Sequence, residues 1–143
     1  MDNIFVNTLL NNTILDVKLT GTDQMNKFRE NWVNLNWDDG KSGKEPGVYF
    51  IFDMSDVSLQ SPLYIGSASS DTWVIRDRVG QYGNKSSGST FRIKYVERNN
   101  LTEEEWDFKK NFIVKYIPYS CVKDTILKDE HLAIGLFQPQ FND

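Results

Sequence analysis

The chain has one cysteine, one histidine and no surplus of positive charge, and each shortage closes off a class of chemistry. Cys121 alone can form neither an internal disulfide nor a cysteine metal cluster, so a reducing, cytoplasmic location is expected. His131 is the only imidazole, and no His–acid pair is spaced to activate Ser67 or Ser69, which read as loop hydrogen-bonders rather than nucleophiles. No apolar run reaches the roughly 18 residues of a membrane span, and no charged-then-apolar leader opens the chain, so neither a membrane nor a secretory route is expected. The formal net charge of −4 argues against a protein held on nucleic acid by bulk electrostatics.

What is present fits a single domain with a real core: 143 residues, 39% of them hydrophobic and 13% aromatic. Charge is uneven. Arg76, Arg78, Lys85, Arg92, Lys94 and Arg98 face only Asp77 and Glu97 over the same stretch, a modest basic patch in an acidic chain. Each of these residues taken singly reads as a solvated helix face; as a group they read as phosphate-facing.

Two apolar runs, Gly47-Val48-Tyr49-Phe50-Ile51-Phe52 and Pro62-Leu63-Tyr64-Ile65-Gly66, flank a polar turn and read as a hairpin. Each sets a tyrosine beside a glycine, which implies that another chain or a ligand comes close there. The β-branched and aromatic run 112–117 is the third strand. Helices are expected over 22–32, capped by Thr22 or Asp23 and with Met25, Phe28 and Trp32 on one face; over 72–81; over 89–98, where a strand pattern competes; over 102–110, from the capping box Thr102-Glu103-Glu104-Glu105; and over 121–137, ended by Gln138-Pro139. The fold expected is α/β, a small antiparallel three-stranded sheet flanked by helices. Residues 1–45, rich in Asn and closed by the turn-rich stretch 37–46, form an N-terminal extension rather than a second domain, and 46–143 form the main domain.

Read forward, the spacing becomes specific. Arg78 precedes Tyr82 by four residues, which puts both on one helix face. Glu130 lies in the last helix, and twelve residues later comes Asn142, within Pro139-Gln140-Phe141-Asn142. The ordered set Gly-x-Tyr, Tyr-Ile-Gly, Arg-x-x-x-Tyr, Glu and Pro-x-x-Asn resembles the GIY-YIG endonuclease superfamily over residues 46–142. Two departures stand out: about twelve residues separate Gly66 from Arg78, a few more than usual, and Asp77 stands where relatives commonly carry a basic residue.

The resemblance implies a metal-dependent endonuclease that hydrolyses DNA phosphodiester bonds at one site. Glu130 would be the ligand of a single Mg²⁺ (or Mn²⁺), an ion that keeps most of its waters. Arg78 would pair with the scissile phosphate, its fixed charge and fork matching phosphate oxygens. Tyr49 would orient or deprotonate the attacking water, which requires Arg78 and the metal to lower a phenol whose ordinary pKa is roughly 10. Tyr64 would hydrogen-bond the phosphate or that water, Tyr82 would be a second proton-handling or orienting group, and Asn142 would brace the site. Arg76 competes with Arg78 for the arginine role; Arg76, Lys85, Arg92 and Lys94 are the candidate nucleic-acid contacts. His131 follows Glu130 directly and points about 100° away from it on a helix.

Blander accounts stay beside these: packed strand aromatics for Tyr49 and Tyr64, a surface residue for Arg78, one more helix carboxylate beside Asp129 for Glu130, a frayed end for Asn142. The alternative function is a catalytically weak or inactive nucleic-acid or protein binding module on the same fold. No attached targeting module is expected, so DNA specificity would rest on residues 1–45, the 85–89 loop, a homodimer partner or a separate targeting protein.

Overall fold

The computed structural model describes residues 9–16, 18–69, 73–85, 88–120 and 123–142. Its centre is β2 (Gly47–Asp53), whose β-branched and aromatic residues Val48 to Phe52 are buried on both faces. Strands do this only where layers cover both sides of the sheet. β3 (Tyr64–Ala68) and β4 (Phe112–Pro118) flank it, both antiparallel, and β1 (Val33–Asn34) pairs antiparallel with β4, giving the order β1-β4-β2-β3. The sheet therefore has four strands, not three. The extra strand is two residues long, too short for an alternating pattern, and comes from the stretch expected to be extension.

Pleating splits the side chains of β2 between two cores. Tyr49 and Ile51 point to one face, where α2 (Ile75–Gly80), the 3₁₀ turn Gln81–Gly83, α3 (Thr90–Asn99) and α4 (Phe108–Asn111) deliver Val79, Tyr82, Phe91 and Phe108. Val48, Phe50 and Phe52 point to the other, covered by Phe28 of α1 (Gly21–Glu30) and by Ile126 and Ala133 of α5 (Lys123–Phe137). The molecule is α/β, a four-stranded antiparallel sheet between five α-helices among the described residues.

The N-terminal stretch enters both cores, Val33 and Leu35 the first, Ile14 and Phe28 the second. Leu10 bridges in parallel to Tyr119. Asp129 of α5, fully buried, accepts hydrogen bonds from the Ile14 amide (2.8 Å), the Tyr119 hydroxyl (2.5 Å) and the Thr13 hydroxyl, and so ties the start of the chain to its last helix. A buried carboxylate is tolerated where donors surround it in this way.

Local chemistry moved some boundaries. α1 is capped by Thr20, whose hydroxyl accepts from the Asp23 amide, not by Thr22 or Asp23. Half of the expected capping box forms, Glu105 accepting from the Thr102 amide at 2.8 Å, but the Glu105 amide goes to the Thr102 carbonyl and closes a turn; Asp107 caps the four-residue helix that follows. The ambiguous stretch after Ser89 is helix α3, with Ser89 as its cap and Asn100 ending it in the left-handed region (φ 52°). Residues 70–72 and 121–122, where two helices were expected to begin, lie outside the described residues.

Candidate functional site

The register sets Tyr49 opposite Gly66 and Ile51 opposite Tyr64, so Tyr49 and Tyr64 share the face covered by α2, α3 and the 3₁₀ turn. Tyr82 descends from that turn between them. The three rings stand 6.2–6.5 Å apart, centroid to centroid, and the Tyr49 and Tyr82 hydroxyls are hydrogen-bonded at 2.8 Å. Tyr49 is 1% exposed and Tyr82 4%, whereas Tyr64 is half-buried. Of the three phenols, Tyr64 is the one that meets solvent.

The glycines have an internal cause, which corrects the expectation of a ligand or a second chain beside them. A Cβ on Gly66 would stand 2.5 Å from Tyr49 Cζ and nearer still to its hydroxyl; one on Gly47 would strike the Ile117 carbonyl of β4. Gly66 thus makes room for the Tyr49 ring, and Gly47 for the neighbouring strand.

Burial works against the pKa lowering that a base at Tyr49 requires. Desolvation is the largest influence on all three and raises them: well up for Tyr49, up for Tyr82, and up for Tyr64, where the negative charge of Glu130 adds to it. Arg78 lowers each, but weakly. These phenols keep their protons at neutral pH and act as hydrogen-bond donors. A base at Tyr49 is not what this packing supplies.

Arg78 lies on the exposed side of α2, and its side chain makes no hydrogen bond or ion pair among the described residues. It borders a cleft of about 390 Å³ lined by Tyr64, Arg78, Gln81, Tyr82 and the approach to α3: Gly88, the cap Ser89 and the first helical residue Thr90. The partial positive charge of a helix start and a fixed guanidinium therefore face one space.

Arg76 is two residues away, hence roughly 200° around the helix, and its fork is occupied. It donates to the carbonyls of Asn36 (3.1 Å), Trp37 (2.5 Å) and Ser42 (3.1 Å), pairs with Asp39 at 3.5 Å and lies over the Trp37 ring. That commitment removes Arg76 from the arginine role and from direct phosphate contact: it is a clamp on the 36–43 loop.

The other candidate contacts scatter. Lys85 is exposed just beyond the 3₁₀ turn. Arg92 lies over Trp106, 5.7 Å from its centroid, and does not line the cleft. Lys94 joins Arg98, Glu97, Gln140 and Phe141 around a separate hollow of about 440 Å³. The basic stretch of the sequence is thus not one patch.

Glu130 approaches from the α5 side of the sheet. It is half-buried, accepts from Ser67 Oγ at 2.6 Å, and is close enough to Tyr64 to raise that phenol's pKa. Tyr64 therefore stands between the influence of Arg78 and that of Glu130. Glu130 does not line the Arg78 cleft itself. Its neighbour Asp129 is consumed by the contacts of residues 13–14 and Tyr119, and His131 is exposed. Asn142 pairs with the backbone of Ile65 in both directions, accepting from its amide at 2.8 Å and donating to its carbonyl at 2.7 Å. It braces β3 between Tyr64 and Gly66.

Among the described residues no three His, Cys, Asp or Glu side chains gather in one group. That set does not suit Zn²⁺, which takes three or four protein ligands. One half-buried carboxylate does suit Mg²⁺, which is held by one or two carboxylates, waters and substrate phosphates. Ser67, read from the sequence as a loop hydrogen-bonder, lies inside β3 and donates to Glu130. Gln81, which sits on the cleft wall between Arg78 and Tyr82, carries no signal in the sequence.

Among the described residues no helix is long and apolar enough to cross a membrane. No family model matches the chain, and neither a curated protein nor a solved structure was found to match it.

Proposed function

We propose that this chain is a metal-dependent DNA endonuclease of the GIY-YIG type, hydrolysing a phosphodiester at one site. The observation that carries the reading is the convergence of Tyr64, Tyr82 and Arg78, unpaired among the described residues, on one cleft, with Glu130 influencing Tyr64 from the other side. Arg78 and the N-terminal end of α3 bind the phosphate and stabilise the charge that grows on it. Tyr64, protonated, donates to a phosphate oxygen or orients the attacking water; Tyr82 and Tyr49 hold it in place through their buried hydroxyls and rings. Glu130 would hold Mg²⁺ or Mn²⁺, with Ser67 fixing its carboxylate, and the ion would acidify a water and neutralise phosphate charge. Asn142 keeps β3, and with it Tyr64, in position.

The test is cleavage of supercoiled plasmid and of branched DNA with Mg²⁺ or Mn²⁺, wild type beside Glu130→Ala. We expect metal-dependent nicking or linearisation that falls at least about 10²-fold in the variant. Cutting retained by Glu130→Ala sinks the role of that residue. Absence of cutting by folded wild type favours a second reading, a binding module without catalysis. The raised phenols support that second reading to the extent that no deprotonated base lines the cleft.

A further inference from the structure

Around the helix from Arg78 lies a second hollow, of about 410 Å³, lined by Trp37, Lys44, Arg76, Asp77, Gly80, Gln81, Asn84 and Lys109. Residues 77, 80, 81 and 84 recur every three or four positions and so make one face of α2 and the 3₁₀ turn; Arg78, Gln81 and Tyr82 make the adjacent face. Gln81 lines both hollows, which therefore share a wall.

Three of the lining residues are cations against one carboxylate, Asp77. How the cations are held matters more than their number. The Lys109 ammonium sits 4.8 Å from the Trp37 ring centroid, and the Arg76 guanidinium 5.6 Å from it. An aromatic face fixes a cation without cancelling its charge. The only ion pair among the described residues is Arg76 with Asp39. Lys44 and Lys109 are both exposed and make no ion pair there, so their charge remains open to an anion. Gln81 and Asn84 add amides able to donate to phosphate or sugar oxygens.

We propose that this hollow is a second backbone-phosphate subsite for nucleic acid, which takes a phosphate flanking the one bound at Arg78. Lys44 and Lys109 are its charge contacts, and Trp37 is the platform that holds Lys109. The inference rests on the endonuclease reading of the neighbouring cleft. It also accounts for residues 36–44, since the loop clamped by Arg76 presents Trp37 and Lys44 beside the cleft. A strand bound at both hollows must wrap around α2. Arg76 lends charge here but no donors, because its fork is spent on the loop.

The experiment is anisotropy of a fluorescein-labelled DNA duplex with the full chain in EDTA, so that binding is read without cleavage, over a range of NaCl concentrations. Wild type is compared with Lys44→Ala, Lys109→Ala, the double variant and Arg78→Ala. The lysines are exposed, so folding should persist, and far-UV circular dichroism checks it. Each lysine variant should bind about 3- to 10-fold more weakly at low salt. Each should also flatten the slope of log affinity against log salt by about 0.9, the value for one lost phosphate contact on duplex DNA. Trp37→Phe, which keeps an aromatic face, should weaken binding less than Trp37→Ala. If wild type binds and Arg78→Ala weakens it while both lysine variants keep the wild-type slope, the subsite is refuted and the cleft reading stands. If wild type binds no DNA at all, both readings fall.

Discussion

At Gly66 a single added methyl group would collide with Cζ and the hydroxyl of Tyr49, a side chain 1% exposed and fixed by Tyr82. Gly66→Ala must therefore displace either a packed phenol or the strand that pairs with it. Overpacking of this kind costs about 1–3 kcal/mol, and urea unfolding should register that loss. In a Tyr49→Leu background the same substitution should cost less, because the ring it strikes is gone; an unchanged cost would mean that the strain lies in the backbone of β3 instead. The pairing of Tyr49 with Gly66 also marks the limit of what residues alone reveal. The motifs and their order pick out tyrosines that the fold brings together: the rings of Tyr49, Tyr64 and Tyr82 meet. The glycine reads as room for a ligand because a missing side chain looks the same in a sequence whether the space is filled from outside or by the chain itself.

Arg76 and Arg78 share α2, and helix rotation gives them different work. One is locked to the carbonyls of residues 36, 37 and 42; the other is exposed above Tyr64 and Tyr82. Arg76→Ala should release the loop that carries Trp37 and leave three carbonyls without their charged donor. A loss of about 1.5–3 kcal/mol is expected, the worth of a hydrogen-bonded charged group. Arg76→Lys should recover little of it, since an ammonium cannot span three acceptors as a planar fork does. Thermal unfolding of both variants beside Arg78→Ala checks this; Arg78→Ala should stay near wild type. The choice between these arginines is available from the four-residue spacing of Arg78 and Tyr82, but the partners of Arg76 are not, because the loop that holds it is distant in sequence. The same blindness applies to β1. Val33–Asn34 has no pattern of its own and is a strand only because β4 offers Tyr116 and Lys115 beside it. Elements with a long run of their own, such as β2, β4 and α5, are legible; those made by a neighbour are not.

Across the whole molecule, the buried phenols set a limit on alkaline stability. Tyr116, whose hydroxyl accepts from the Gly43 amide at 2.9 Å, is pushed up to about 12, chiefly by burial, and Tyr49, Tyr64 and Tyr82 are raised for the same first reason. Below about pH 10 these hydroxyls are protonated in the folded and the unfolded chain alike, and stability is complete. Between about pH 10 and pH 12 the unfolded chain loses protons that the folded chain keeps, so stability falls as pH rises. Tyrosinate absorbance should therefore appear together with unfolding rather than before it; ionisation of these phenols near pH 10 in an intact fold would contradict their burial. At the outer rim of the sheet, Phe141 donates its amide to Leu63 and the Asn142 side chain satisfies both backbone groups of Ile65. An open strand edge is a template on which other copies can stack. Along these residues the protein is its own neighbour, and one amide side chain stands in for the strand that would otherwise arrive from another molecule.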